Sequence, residues 1–354
     1  MGGGARAAPR KPLSAPRIDA ARPARRLAAP PLWAGVAVAL AGLCFGALML
    51  GPYPLTPAET LGALLGFGDA QAQIVVRNVR LPRVAAALLV GAALAAAGAS
   101  YQALFRNPLV SPDILGVSAG AGLGAVLGIF LSLPVAAIQG MAFLGGLGAV
   151  TLVGLVARAV RGTDPTLALV LTGVVVGALA GAATSLLKVM ADPYDQLPAI
   201  TFWLLGSLAS VTMADLAPAA PAVALGLVPL ALLRWRINVL SLGDEEARAL
   251  GVEAGRLRLV VVAAATLATA SVVALAGVVG WVGLVIPHVA RMLVGPGFGR
   301  LLPAAAALGA GYLLVVDTLA RTMAAVEIPL GILTAVIGAP FFIWLLARGR
   351  RGWL

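Results

Sequence analysis

The sequence predicts an all-α, polytopic membrane protein of about ten transmembrane helices, and three observations predict it. Apolar stretches of about 17 to 25 residues recur along the chain, each long enough to cross the bilayer core as a helix. Hydrophobic residues make up 61% of the 354 residues and charged residues 11%, with a mean hydropathy of +1.01. A soluble domain carries about 25% charged residues. Arginines gather at alternate ends of the apolar stretches, as the positive-inside rule requires. Asp and Glu number only 14 against a formal charge of +11, too few to coat a globule of this size. Arginines flanking membrane spans explain the basic charge better than nucleic acid, which is not expected as a partner. The one cysteine, Cys44, lies in an apolar span and cannot form an internal disulfide.

Residues 1–31 are rich in Ala, Pro and Arg, with Arg22, Arg25 and Arg26 close to the first span. They read as a disordered cytoplasmic tail that holds the first helix inside-first, in preference to a twin-arginine signal or a transit peptide. Residues 32–350 then form one transmembrane domain. Spans are expected near 33–52, 83–104, 115–132, 138–160, 166–189, 215–233, 256–277, 283–293, 299–320 and 331–348. An even count returns the C-terminus to the side of the N-terminus, so both termini are expected in the cytoplasm. The count is least defined around 195–212 and 275–295.

With this topology nearly all arginines fall at inner ends, among them Arg106, Arg158, Arg161, Arg234, Arg236, Arg248, Arg256, Arg258, Arg291, Arg300, Arg348, Arg350 and Arg351. Arg77, Arg80, Arg83, Lys188 and Arg321 fall at outer ends and oppose the bias. Snorkelling to lipid phosphate or a local salt bridge, for instance with Glu327, would hold them there. So would an electropositive rim that docks an acidic partner. Gly120, Gly124 and Gly128, and likewise Gly173, Gly177 and Gly181, recur every fourth residue, a spacing that lets helix backbones approach closely in lipid.

Residues 241–258 cannot be a span. Asp244, Glu245 and Glu246 suit the positive end of a short helix, Arg248 its last turn, and Gly251 its termination. Leu242, Ala247 and Leu250 are expected to form a small apolar contact set. A short amphipathic helix facing the cytoplasm is best explained by a partner that covers it, the alternative being a plain connector.

Residues 280–291 hold the protein's one histidine in an apolar run broken by Gly283 and Pro287 and closed by Arg291. Broken backbone is tolerated at membrane depth only where protein or a water-filled cavity covers it. His288 is expected to serve structure, because it follows a proline that frees backbone groups. The chain has two lysines, Lys11 and Lys188, and neither completes a Gly-Lys-Ser/Thr phosphate loop. No catalytic, metal-binding or cofactor-binding set is expected. No span carries the paired carboxylates of an ion-coupled carrier, and Asp317 reads as a structural partner of Arg321 four residues on.

Several blocks together carry a resemblance. They are Arg80-Leu81-Pro82-Arg83 with Gly91, Gly98 and Gln102, and then Arg106-Asn107-Pro108-Leu109 with Leu115-Gly116. Leu242-Gly243-Asp244-Glu245-Glu246-Ala247 through Leu250-Gly251-Val252 follows, then Gly283-Leu284, Pro287-His288 and Arg291. Glu327, Pro329-Leu330-Gly331 and Gly338-Ala339-Pro340 close the series. Over roughly residues 35 to 350 the chain resembles the iron-siderophore, haem and cobalamin permease family of bacterial ABC importers, with the cobalamin importer permease as structural type.

The resemblance implies a type II ABC importer fold in the bacterial inner membrane. It implies a homodimer around a central path, two cytoplasmic ATP-binding subunits that carry the ATP and Mg²⁺, and a periplasmic or lipid-anchored binding protein. Residues 242–247 with Leu250 and Gly251 would be the ATPase-coupling segment. Arg80, Arg83 and Arg321 would dock the binding protein, and the span near 166–189 would gate the path. Asn107, Pro108, Gly283, Pro287, His288, Arg291, Pro329 and Gly331 would form structural or gating motifs.

The expected cargo is a ferric siderophore, haem or a corrinoid. The segment Asp192–Pro198 before Trp203 is similar to members suggested to carry molybdate or tungstate, which makes an oxyanion the alternative. Trp281, where phenylalanine is common, and Gly295–Arg300 depart from the family pattern. An ion-coupled secondary transporter or a membrane enzyme would need polar clusters within the spans, and these are sparse here.

Overall fold

A computed structural model describes residues 29–160 and 165–348. Among them there are helices and turns and no strand. The long helices are α1 (Ala29–Met49), α4 (Leu81–Leu104), α6 (Val135–Ala159), α7 (Pro165–Met190), α9 (Met213–Leu232), α12 (Ala254–Ala276), α14 (Phe298–Ala320) and α15 (Leu330–Arg348). Between them lie α2 (Pro57–Leu65), α3 (Ala70–Ile74), α5 (Val117–Phe130), α8 (Gln196–Leu205), α10 (Arg234–Leu240), α11 (Asp244–Ala249) and α13 (Val282–Val294). Each of the ten expected spans has its helix. Seven described helices are long and apolar enough to cross a membrane, and α5, α8, α13 and α15 supply shorter apolar segments. Residues 39–354 form one compact unit, and the described part of residues 1–38 is the opening of α1.

Four boundaries differ from expectation. Helix α1 starts at Ala29, so the expected tail is shorter than 31 residues; the rest of it, with Arg22, Arg25 and Arg26, lies outside the described residues, as do Arg161, Arg350 and Arg351. The second span begins at Ala70, because α3 runs through a π-helical turn, Val75–Arg80, into α4. The turn ends beside Pro82, which has no N–H to continue the i−4 ladder. Helix α8 was not counted as a span and is short. The break before Arg291 falls at residues 277–281, where Gly277 and Trp281 have φ of +70° and +69°, and α13 continues through Pro287.

Helices α4 and α12 are the most buried of the long helices and form the centre, whereas α1, α6, α7 and α9 leave apolar faces outward, as lipid requires. Helix α4 packs most extensively on α14, α5 on α6, and α12 on α9. Small residues make these approaches possible. A Cβ on Gly98 would overlap the Gly283 carbonyl, and one on Gly91 the Gly309 carbonyl. The glycine series of α5 does seat it on α6, since a Cβ on Gly120 or Gly124 would strike the Gly145 or Met141 carbonyl. The series of α7 does so only at Gly173, against Ile114; Gly177 and Gly181 have nothing within 4 Å of a Cβ.

Candidate functional site

Helix α4 carries a polar centre at each end. Arg83 stands in its first turn and Gln102 in its last, 19 residues on and so about 28 Å along the axis.

At the Gln102 end the exposed loop 241–252 is rigidly built. Gly243, at φ +141°, leads into α11, whose end is a Schellman motif. Val252 N–H donates to Ala247 O at 2.8 Å and Gly251 N–H to Arg248 O at 2.9 Å, with Gly251 left-handed at φ +76°. Arg258 on α12 holds Asp244 with two hydrogen bonds of 2.9 and 2.6 Å. Ala247 is fully buried. Leu242 and Leu250 are 62% and 53% exposed, so the expected contact set of Leu242, Ala247 and Leu250 does not form. The six-residue helix turns a single apolar position inward, and both leucines lie outside its span. Glu245, Glu246 and Arg248 are exposed beside them. Leucine pairs flanking an acidic turn thus face outward on a braced loop.

The Arg258 hydrogen bonds hold the Asp244 carboxyl below its usual range. A folded-state pKa that is lowered adds stability above the unfolded value and loses it as pH falls through the folded one. Asp244→Asn is therefore expected to speed amide exchange in 244–252 at neutral pH. The difference from the unsubstituted protein should vanish in acid, below the lowered pKa.

Gln102 also answers Pro287. The proline has no N–H for the Gly283 carbonyl four residues back. The Gln102 amide donates to Gly283 O at 3.5 Å and Leu284 O at 3.2 Å, and its oxygen accepts from Arg291 at 3.1 Å. Gln102 thus serves the carbonyl that Pro287 frees. Half-buried His288 lines a cavity of about 660 Å³ with Arg291, Asn107 and Pro108. Asn107 accepts the Leu109 N–H at 2.9 Å and shapes the turn that brings Pro108 there.

At the opposite end the three candidate docking arginines are engaged within the chain, Arg80 and Arg83 buried and Arg321 half-buried. Arg83 bonds Asp317 at 2.7 Å and grips Glu327 with two bonds of 2.9 and 2.8 Å. Ser207 donates to the same Glu327 at 3.0 Å. Arg80 donates to the carbonyls of Leu48, Met49 and Tyr53, and Arg321 to those of Ala47 and Leu50. These two cap the C-terminus of α1, where carbonyls lack helical partners and the dipole favours cations. Arg321 also lies 3.7 Å from Asp317, the expected pairing within one helix, but the closer partner of Asp317 is Arg83. The local salt bridge with Glu327 is therefore present, made by Arg83. Arg77 is the exposed arginine at this end of α4.

Pro329 and Gly331 sit beside this cluster. Between them Leu330 N–H donates to Gly206 O at 2.9 Å, and a Cβ on Gly331 would press the Leu205 carbonyl at 2.7 Å. Ser207 N–H in turn donates to Ala276 O at 2.9 Å, so the ends of α8 and α12 and the start of α15 are joined by backbone bonds. Trp281 packs on Gly338 and meets Phe342 edge-on at 6.5 Å. Gln102 and Asp317 are the residues whose roles sequence reasoning underrated.

The profile of the FecCD transport family matches residues 38–348. A probable iron chelatin transport system permease protein of Helicobacter pylori is 43% identical over 277 residues, covering 78% of this chain and 83% of that protein. The molybdate import system permease protein MolB of Haemophilus influenzae is 42% identical over 284 residues, covering 80% and 84%. A solved structure titled as an inward-facing conformation of a putative metal-chelate type ABC transporter superposes with a TM-score of 0.83 at 39% identity. It covers 90% of this chain and 99% of that one.

Proposed function

The chain belongs to the FecCD transport family, and from that premise we propose that it is the membrane subunit through which a separate ATPase drives import of a metal chelate. The observation that carries this reading is the loop 241–252, which presents Leu242, Glu245, Glu246 and Leu250 outward while Ala247 and the Asp244–Arg258 pair fix it to α12. A partner that closes on ATP can push on such a loop, and α12 passes the displacement to α4 and α9, on which it packs. The path then alternates between its two openings, as a shift between two packed states.

In this reading the end bearing α11 faces the cytoplasm, where both termini lie, and the membrane is the bacterial inner membrane. ATP and Mg²⁺ sit on two partner ATPases, not on this chain. A second copy completes the path, and the open glycine face of α7 at Gly177 and Gly181 supports a close helix contact there. A periplasmic or lipid-anchored binding protein meets the end bearing Arg77. To engage Arg80, Arg83 and Arg321 its carboxylates must compete with Asp317, Glu327 and the α1 carbonyls.

A metal chelate is the first reading of the cargo, supported by the relatives' and neighbour's descriptions. Molybdate is the second, supported by a relative of nearly equal identity. Proteoliposomes holding this chain with its ATPase and binding protein test both. ATP-dependent uptake of a ferric siderophore, haem or cobalamin is expected. Uptake of molybdate alone would keep the mechanism and replace the cargo, and uptake without ATP would overturn the reading.

A further inference from the structure

The cavity near Gln102 has a chemistry that coupling does not use. It measures about 660 Å³, and its polar wall is Arg106, Arg291, His288, Gln102, Asn107, Asn238 and Ser241. No Asp or Glu is among the lining residues. Arg291 hydrogen-bonds only the neutral Gln102 amide oxygen, and it enters no ion pair among the described residues. Beyond the wall Arg106 faces Asp244, which Arg258 holds, and Glu246, which shares the Gly243 turn with it but enters no ion pair among the described residues. A half-buried guanidinium in a cavity with no carboxylate on its wall calls for an anion that can offer two oxygens to its fork, and phosphate does so with two bonds.

The rest of the cavity selects the source of that phosphate. Its other walls are apolar, and on them Met292 and Trp344 remain 61% and 41% exposed. Leu293 beside Met292 is 66% exposed. Helix α10 forms part of the wall and carries Trp235, 60% exposed, between exposed Arg234 and Arg236. Tryptophan flanked by arginine marks the headgroup level of a bilayer. A basic pocket between helices at that depth suits an anionic headgroup, whose acyl chains would cover Met292 and Trp344. Free phosphate would leave Met292 and Leu293 exposed.

We propose that this cavity binds the phosphate of an anionic phospholipid, held by Arg291 and Arg106, with its chains on the apolar rim. The site lies beside the turn that carries Arg106 toward the coupling loop, so lipid occupancy would brace that turn.

The test uses the full chain in nanodiscs of phosphatidylglycerol or phosphatidylcholine, with native mass spectrometry for retained lipid and thermal unfolding for its effect. The unsubstituted protein should retain phosphatidylglycerol and melt several degrees higher in it. Arg291→Gln should lower retention by about tenfold and abolish the difference in melting, with Arg291→Lys between them. Equal behaviour of the unsubstituted protein in both lipids would overturn the proposal without reliance on any variant. So would an undiminished phosphatidylglycerol effect in Arg291→Gln. Displacement of the lipid by millimolar inorganic phosphate would overturn the lipid assignment in favour of a soluble anion.

Discussion

Arg83→Ala is expected to destabilise the protein by about 3–5 kcal/mol, the usual cost of removing one partner of a buried ion pair. The side chain is 8% exposed and serves both Asp317, fully buried, and Glu327. Without it Asp317 keeps only Arg321, whose Nε stands 3.7 Å away. Arg83→Lys should recover part of the loss, because one ammonium cannot reproduce the bidentate grip on Glu327 together with the Nε bond to Asp317. Arg83→Ala combined with Asp317→Asn should cost less than the sum of the two. Thermal unfolding in detergent reads all four. An Arg83→Ala protein that melts normally yet fails to dock a binding protein would show the arginine to be a docking residue first.

Gly98→Val is expected to abolish folded protein, a loss of at least about 3 kcal/mol. The added carbon would overlap the Gly283 carbonyl on α13, a backbone atom that no rotamer change can move. The damage should reach further than packing. Gly283 and Leu284 carbonyls are the acceptors of Gln102, which also holds Arg291. Gly140→Ala, with nothing within 4 Å of the new carbon, is the control and should be neutral or slightly stabilising. Yield of monodisperse protein by size-exclusion chromatography separates the two.

The helices were legible in the sequence because lipid demands length and apolarity, and both are written locally. Helix α11 was legible too, since its acidic first turn and Gly251 are local signals. The inward turn of Ala247 and outward turn of Leu242 and Leu250 were not, because a six-residue helix has too few turns to show a face. Arg83 and Asp317 are 234 residues apart, and nothing in spacing joins them. Charge counting placed the arginines at the outer end and offered Glu327 as a partner, but it could not tell an internal pair from a docking surface. Gln102 escaped for a similar reason: its partners are backbone carbonyls on another helix, one of them the Gly283 carbonyl that Pro287 frees. The π-helical turn before Pro82 lengthened the second span, and an apolar window centred on 83–104 does not register it.

Association of the partner ATPase with this chain, measured by co-purification of the full complex, tests the central claim most directly. Glu245→Arg with Glu246→Arg, and separately Leu242→Asp with Leu250→Asp, alter only exposed side chains of the loop. Loss of the ATPase in both, with the melting temperature of the permease unchanged, is the result expected. Full retention of the ATPase by both variants would contradict the assignment of this loop as the coupling element.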